Sequence, residues 1–175
     1  MGKRSNFERK PRDFYPTPAE AVIPLCSHLP GYAFTFVEPC AGDGALVRHL
    51  ESMTHGECNS ATDIEPQHET VIHRDVFDCT YEPSAHINYV ITNPPWDRKI
   101  LHPIIEHLSS QIPTWLLFDA DWMHTKQAYP YLPYCKKIVS IGRVKWFGKT
   151  SGKDNCAWYL FGSGKTTTQF CGRTK

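Results

Sequence analysis

Three observations predict an α/β fold in a single domain. Short runs of β-branched and aromatic residues, such as residues 34–37 and 89–91, alternate with stretches of helical periodicity. A glycine turn and a helical pattern follow the first of these runs, which is the strand–turn–helix unit of α/β proteins. The chain has 175 residues, enough for one substantial core but too few for a comfortable second domain.

A first helix is predicted directly after Thr17. The Thr17 hydroxyl can cap the helix, Pro18 suits its first position, and Glu20 would complete a capping box. This pattern explains how the helix starts, but it gives no role to the aromatic pair before it, Phe14 and Tyr15.

The first predicted strand ends in a glycine turn that includes Gly42 and Gly44. Both glycines permit positive φ and a close approach of the backbone to a ligand. The turn departs from the dinucleotide fingerprint G-x-G-x-x-G, because Val47 stands where the third glycine would be. The carboxylates of Glu38 and Asp43 would repel a pyrophosphate and favour a cation.

The second predicted strand, residues 59–62, ends at Asp63, which comes 21 positions after Gly42. A carboxylate at the end of the second strand and at this distance can accept hydrogen bonds from both ribose hydroxyls. Its alternative role is to cap the short helical segment that follows. Residues 70–73 are predicted to form the third strand.

The most distinctive stretch follows the fourth predicted strand and consists of Asn93, Pro94, Pro95 and Trp96. The prolines fix φ and remove two N–H donors, so the turn presents carbonyl acceptors beside the side-chain oxygen of Asn93. Trp96 adds a flat π-face. Convergent acceptors next to an aromatic plate fit a planar group with an exocyclic amino group, such as an adenine base.

An amphipathic helix follows, because apolar residues recur at i, i+1, i+4, i+5 and i+8. The residues of this stripe are predicted to belong to the core: Ile100, Leu101, Ile104, Ile105 and Leu108. A fifth, buried strand is predicted over residues 114–118. Asp119, Asp121 and Trp122 come next, either as a pocket wall at the ligand-binding edge of the sheet or, for the aspartates, as helix caps.

The last third of the chain predicts a hairpin of two strands, residues 137–147 and 156–161, joined by a turn-rich loop. Basic residues lie along the hairpin with an aromatic residue among them: Arg143, Lys145, Trp146, Lys149 and Lys153. The pattern suits contacts with nucleic-acid phosphates and bases. Its alternative is an edge strand that carries lysines to avoid aggregation.

Charge is segregated along the chain, although the net charge is only +1. Residues 1–12 carry +4, residues 13–121 carry −12 and residues 122–175 carry +9. An acidic middle between basic ends suits a protein that holds a cationic cofactor and binds a polyanion.

Residues 1–12 are predicted to be a basic flexible tail, residues 13–163 the catalytic domain, and residues 164–175 a flexible C-terminal tail.

The composition argues against several classes of protein. No apolar run approaches the roughly 20 residues of a membrane span, and the N-terminus lacks the apolar stretch of a signal peptide. The seven cysteines are an odd number without a C-x-x-C pair, which predicts reduced thiols and a cytoplasmic location. Only Cys26 and His28 bring metal ligands close together, so no metal site is predicted.

Several stretches resemble those of one enzyme family. Residues 93–96 resemble the catalytic motif of the amino-group methyltransferases, residues 14–18 their N-terminal cofactor motif, and residues 38–44 their cofactor loop. In this order they resemble a phage-type DNA adenine-N6 methyltransferase. The resemblance implies a Rossmann-like class I methyltransferase fold, with a seven-stranded, mostly parallel sheet and an antiparallel last strand.

The same resemblance implies roles for the site residues. The exocyclic N6 amino group of a flipped DNA adenine would donate to oxygens of Asn93 and Pro94 while the base stacks on Trp96. The cofactor S-adenosyl-L-methionine would be held by Phe14, Tyr15, Pro16, Thr17, Glu38, Gly42, Asp43, Gly44, Asp63, Ile64, Asp75, Val76 and Asn93. Asp75 would bind the cofactor's adenine, with Asp78 as the alternative. Double-stranded DNA would be the partner, bound by the hairpin.

Two other functions stay open. The same motif serves enzymes that methylate adenine N6 in RNA or the N5 amide of glutamine in proteins, although the charge pattern favours nucleic acid. A cofactor- or nucleic-acid-binding module without turnover is the second alternative, and the intact motif argues against it. The chain departs from the family in size, since only 79 residues follow Trp96; sequence specificity would be slight or depend on residues 148–155.

Overall fold

The computed structural model describes residues 15–82, 86–146 and 155–173. The predictions made for the basic tail and for Phe14, Lys149 and Lys153 lie outside the described residues. In the described part, one sheet is covered by helices on both faces. The predicted α/β class is confirmed.

The strands are β1 (Phe34–Glu38), β2 (Gly56–Asp63), β3 (Ile72–His73), β4 (Tyr89–Thr92), β5 (Thr114–Asp119), β6 (Cys135–Arg143), β7 (Asn155–Phe161) and β8 (Gln169–Cys171). Their spatial order is β3-β2-β1-β4-β5-β7-β6-β8. Strand β7 runs antiparallel to β5 and β6, which confirms the predicted hairpin, and the other neighbouring pairs are parallel. The order reverses between β1 and β4, where open α/β sheets bind ligands.

Within the described residues the sheet has eight strands, so the expected number of seven is wrong. The additional strand, β8, lies in the stretch predicted to be a C-terminal tail and pairs in parallel with β6. The Thr168 hydroxyl anchors its start by donating to the Cys135 carbonyl over 2.8 Å. A strand of 3 residues is too short to show an alternating pattern, and its pairing depends on the edge that β6 offers.

The helices are α1 (Ala19–Cys26), α2 (Ala45–Met53) and α3 (Arg98–Ser109). The predicted capping of α1 is wrong: its N-cap is Pro18, without a side-chain hydrogen bond. The Thr17 hydroxyl instead accepts a hydrogen bond from the Asn93 amide, and Glu20 accepts one from the backbone N–H of Lys145. Long-range partners therefore replace the local capping pattern and tie this segment to the middle of the sheet.

Alternate side chains of the strands enter two cores, one on each face of the sheet. In β5, Trp115 and Leu117 pack with α1 and α2, whereas Leu116 and Phe118 pack with α3. A strand that is buried on both faces has to be apolar along its length, which is what its sequence shows.

The stripe of α3 is buried as predicted except at Ile100, which is 43% exposed. The prediction that Ile100 belongs to the core is wrong because it lies in the first helical turn, about 100° around the axis from the buried Leu101. At the margin of the stripe, its side chain faces a cavity instead.

Within the described ranges, the helices fall short of the length and apolar character that a membrane crossing requires. All seven cysteines of the chain are described, and no disulfide joins any two of them.

Candidate active site

A cavity of about 780 Å³ opens beside the carboxyl ends of β1, β2 and β4, and a volume of this size is typical of small-molecule sites. Many of the predicted cofactor residues line it: Tyr15, Pro16, Thr17, Glu38, Gly42, Asp43, Asp63, Ile64, Asp75, Val76 and Asn93. Gly44 does not line it but is the N-cap of α2. Parallel strands bring these distant stretches of sequence to one edge of the sheet.

The glycine turn after β1 is held by its own backbone and by Asp63. Gly42 and Gly44 have φ angles of +55° and +75°, in the left-handed region that favours glycine. The Gly42 N–H donates to Oδ2 of Asp63 over 2.8 Å. The spacing of 21 residues between them therefore corresponds to a direct contact.

Asp63 is oriented by two backbone donors. Its Oδ2 accepts from Gly42, and its Oδ1 accepts from the N–H of Glu65 over 2.8 Å. A carboxylate offers about four lone-pair sites, so both oxygens can still accept from a ligand. Asp63 thus organises the turn and faces the cavity at the same time.

Glu38 ends β1 as a buried acid, only 1% exposed. Its Oε2 is buried without a hydrogen-bond partner in the described part of the structure. Burial raises the pKa of the Glu38 carboxyl well above its ordinary value, and the nearby carboxylates of Asp63 and Asp43 raise it further. A buried carboxyl oxygen without a partner is costly, and a cation in the cavity would give the Glu38 Oε2 a partner.

The described lining of the cavity contains no Lys, Arg or His side chain. It does contain acidic side chains, those of Glu38, Asp43, Asp63, Glu65, Asp75 and Asp97. Arg48, which does not line the cavity, approaches Asp43 to 3.7 Å. The wall therefore favours a cationic ligand over an anionic one.

The side-chain amide of Asn93 is held at both ends. Its Nδ2 donates to the Thr17 hydroxyl over 3.2 Å, and its Oδ1 accepts from the indole N–H of Trp96 over 3.2 Å. An indole nitrogen can only donate, so the amide oxygen has to face Trp96. This oxygen has a second lone pair with which it can accept from a ligand.

Trp96 turns its indole N–H towards the interior. The same N–H lies 3.2 Å from the carbonyl oxygen of Leu117 in β5, and the ring packs against both cores. Pro95 lines the cavity, whereas Pro94 and Trp96 do not. Trp96 therefore holds the Asn93 amide from the side away from the cavity. The stacking of a base on the Trp96 ring stays a prediction.

The carboxylate of Asp75 accepts from the N–H of Phe77 over 3.0 Å. Of the two acids considered from the sequence, Asp75 lines the cavity and Asp78 does not. Exposed apolar side chains stand in the same wall: Ile64, Phe77 and Ile100 are 47%, 44% and 43% exposed.

Sequence reasoning did not assign several lining residues to the site, and these include Cys40, Gln67, Phe77, Asp97 and Ile100. Adjacency could have found three of them: Cys40 lies inside the 38–44 turn, Phe77 follows Val76, and Asp97 follows Trp96. No sequence signal separates Ile100 from the rest of its stripe.

The hairpin approaches the cavity through Trp146, which does not line the cavity but contacts Tyr15, a residue of its wall. The ring centroid of Trp146 lies 5.7 Å from that of Trp96 and 6.4 Å from that of Tyr15. Arg143 and Lys145 are exposed at the end of β6. The described residues of the predicted nucleic-acid surface therefore lie at the same edge of the sheet as Asn93.

Asp119, Asp121 and Trp122 do not line the cavity. Asp119 accepts from the Asp121 N–H over 2.9 Å and pairs with Arg98 at 2.9 Å, while Trp122 is fully buried. Capping, not a pocket wall, accounts for Asp119. Among the residues that the structure describes, no group of three or more His, Cys, Asp or Glu side chains could hold a metal ion.

No family model matches the sequence, and no curated protein matches it. Solved structures are similar in fold. One is a protein from Pyrococcus horikoshii, provisionally described as an RNA methyltransferase, with 14% identity and a TM-score of 0.64 over 94% of this chain and 93% of the other.

Two further structures cover less of their own length. A type I restriction-modification methyltransferase subunit from Streptococcus thermophilus has 12% identity and a TM-score of 0.54 over 89% of this chain and 46% of the other. A dimethyladenosine transferase from Plasmodium falciparum has 12% identity and a TM-score of 0.53 over 85% of this chain and 62% of the other. These likenesses confirm the predicted methyltransferase-type fold and nothing finer.

Proposed function

We propose that this protein uses S-adenosylmethionine to methylate the exocyclic N6 amino group of adenine in DNA. One arrangement carries the proposal: Asn93, held by Thr17 and Trp96, stands in the wall of a cavity rich in carboxylates. The fold is shared with methyltransferases, but a fold does not assign a reaction.

The residues of the cavity fit the proposed cofactor. S-adenosylmethionine carries an ammonium and a sulfonium, and when bound it supplies an activated methyl group. Glu38, with its unpartnered Oε2, would hold a positive charge. Asp63 would accept from the ribose hydroxyls, and the exposed faces of Ile64 and Phe77 would cover the adenine.

Asn93 would orient the acceptor. Its Oδ1 accepts from one N–H of the target amino group, and the Pro94 carbonyl accepts from the other. Two acceptors on one amino group draw the nitrogen lone pair out of conjugation with the ring. Catalysis then consists of orientation and of stabilisation of the positive charge that grows on nitrogen, so no nucleophilic side chain is required.

Trp96 and Thr17 would act through Asn93 as positioning residues. The Trp96 N–H links the Asn93 oxygen to the Leu117 carbonyl of β5, which fixes the plane of the amide. Because this indole is turned inward, Trp146 and Tyr15 would supply much of the aromatic surface for the target base.

Nucleic acid is the proposed acceptor because exposed cations of the hairpin lie at the edge where the cavity opens. The similar structures include proteins described as an RNA methyltransferase, a restriction-modification subunit and a dimethyladenosine transferase. DNA is preferred over RNA because the 14–18 stretch resembles that of DNA enzymes.

The test incubates the purified full chain and methyl-labelled cofactor with duplex DNA, single-stranded DNA, RNA or ribosomal proteins. We expect label in DNA, recovered as N6-methyladenine by nucleoside mass spectrometry. Label in RNA or in a glutamine amide would reassign the acceptor. No transfer to any acceptor by protein that binds the cofactor would contradict the proposed function.

A further inference from the structure

Strand β8 carries an arginine to the carboxyl-terminal side of the sheet, the side on which the cavity opens, although β5, β7 and β6 lie between β8 and β4. Strand β6 is parallel to β5, because both are antiparallel to β7, and β8 is parallel to β6 with Cys171 beside Val139. The carboxyl ends of all three strands therefore lie at one edge. Arg173 follows β8 at this edge, together with Arg143 at the end of β6.

The side chain of Arg173 lies across the end of β6. Gly142 adopts a φ of +86° beside an irregularity in the pairing of β6 with β7. A Cβ at Gly142 would stand 3.1 Å from a guanidinium nitrogen of Arg173 and 3.5 Å from its Cδ. Because Gly142 has no side chain, the Arg173 side chain can pack against the backbone there, next to Arg143 in the sequence.

These cations lack acidic partners in the described structure. The ion pairs found there lie on other elements, and Glu20 approaches Lys145 through the backbone N–H. From residue 122 to the end, the sequence contains a single acid, Asp154. Like charges that outnumber the nearby counter-charges repel one another, and a bound polyanion would relieve that repulsion.

We propose that Arg173, Arg143 and Lys145 form a phosphate-binding surface that holds the DNA backbone on the side of the sheet where the cavity opens. The inference rests on the proposed function and adds to it a segment whose sequence predicts only a tail. Trp146, which contacts Trp96, joins this surface to Asn93. A strand held on the surface is thereby presented to the acceptor site.

Lys165 offers a matched control at the other end of β8. It lies beside Thr166, whose N–H donates to the Pro133 carbonyl over 2.8 Å, just before β6 begins. Lys165→Glu and Arg173→Glu change the net charge equally. A difference between the two variants therefore reports the position of the charge and not the total charge.

The experiment measures binding of a fluorescein-labelled DNA duplex by anisotropy, with the full chain, between about 50 and 200 mM salt. We expect Arg173→Glu to weaken binding about fivefold or more at low salt and to reduce the slope of log K against log salt by about one. Lys165→Glu should change affinity less than about twofold. Equal effects of the two variants, or no effect of Arg173→Glu, would overturn the proposal.

Thermal unfolding and cofactor binding check that the variants are intact, since Arg173 does not line the cavity. If Arg173→Glu does not fold, Arg173→Gln is compared with Lys165→Gln under the same criteria. The assay measures binding and not methyl transfer. The two proposals can therefore fail separately. Arg173→Glu and Lys165→Glu can bind DNA equally well while the parent protein still methylates DNA, and the parent protein can lack methylation activity while the two variants still differ in DNA affinity.

Discussion

The indole N–H of Trp96 lies 3.2 Å from the side-chain oxygen of Asn93, and the same N–H reaches the Leu117 carbonyl in β5. The orientation of the Asn93 amide is therefore tied to a central strand and not only to its own loop. Pre-orientation of this kind is what a reaction that depends on geometry requires.

Removal of the Trp96 N–H should slow methyl transfer without weakening substrate binding. Trp96→Phe keeps an aromatic ring, and loss of one hydrogen bond of about 1.4 kcal/mol corresponds to about a tenfold fall in kcat. KM for DNA and Kd for the cofactor should change less than about twofold, as measured by steady-state kinetics and calorimetry.

Trp115→Phe is the control for Trp96→Phe, because the buried Nε1 of Trp115 has no hydrogen-bond partner among the described residues. It should leave kcat close to that of the parent protein. An unchanged kcat in Trp96→Phe, or an effect on KM alone, would argue that the ring acts only by stacking.

Asp63→Ala should weaken cofactor binding by about tenfold or more, since it removes a charged hydrogen-bond acceptor worth about 1.5–3 kcal/mol. Calorimetry with S-adenosylmethionine measures the effect. Asp78→Ala is the control, because Asp78 does not line the cavity. For a cofactor analogue without ribose hydroxyls, the affinities of the parent and of Asp63→Ala should differ far less. An unchanged cofactor affinity would count against the ribose role.

Glu38→Gln should stabilise the free protein while it weakens cofactor binding. The pKa of Glu38 is raised above its ordinary value of 4.5, chiefly by burial. Above pH 4.5 the unfolded chain ionises more readily than the folded one, so this group lowers stability as the pH rises. The unfolding temperature of the variant should therefore exceed that of the parent at neutral pH, and the gain should vanish below about pH 4.5. A lower unfolding temperature at neutral pH would refute this view of Glu38.

Acid should destabilise the fold in part through His102, away from the site. Its Nε2 accepts from the Trp122 indole N–H over 3.0 Å, which requires a neutral ring. Burial and then Arg98 lower the pKa of His102, against a smaller effect of Glu106. Neutral His102 therefore contributes to the stability of the fold above the ordinary histidine pKa, and this contribution is lost as the pH falls below that pKa.

His102→Gln keeps an acceptor that does not titrate. Its unfolding temperature should fall less than that of the parent protein between about pH 7 and pH 5. Equal falls in the two proteins would show that His102 does not contribute to the acid sensitivity.

The sequence could predict those parts of the site that lie in a strand–turn–helix unit or directly after a strand. The contact between Gly42 and Asp63 follows from the geometry of a strand–turn–helix unit and the next parallel strand, so their spacing already indicates a shared edge. The same holds for Asn93, because it directly follows an apolar strand. Fold class and most of the cavity wall are accessible in this way.

The remaining features depend on contacts between distant residues. Thr17 and Asn93 are 76 positions apart, and the local pattern around Thr17 predicts a helix cap instead. The local sequence of residues 93–96 does not determine whether the Trp96 side chain faces outward or inward. Its inward orientation depends on the contact with Leu117, which is distant in sequence. The position of Arg173 is likewise set by the free edge of β6.

The most direct test is a single-turnover measurement of methyl transfer to DNA by Asn93→Ala with saturating cofactor. The account predicts cofactor affinity within about twofold of the parent and a methyl-transfer rate reduced by about a hundredfold or more, the effect of removing one oriented polar group from a reaction centre. Asn93→Asp, which keeps the acceptor oxygen, should retain more activity than Asn93→Ala. Methyl transfer by Asn93→Ala at the parent rate would contradict the central claim.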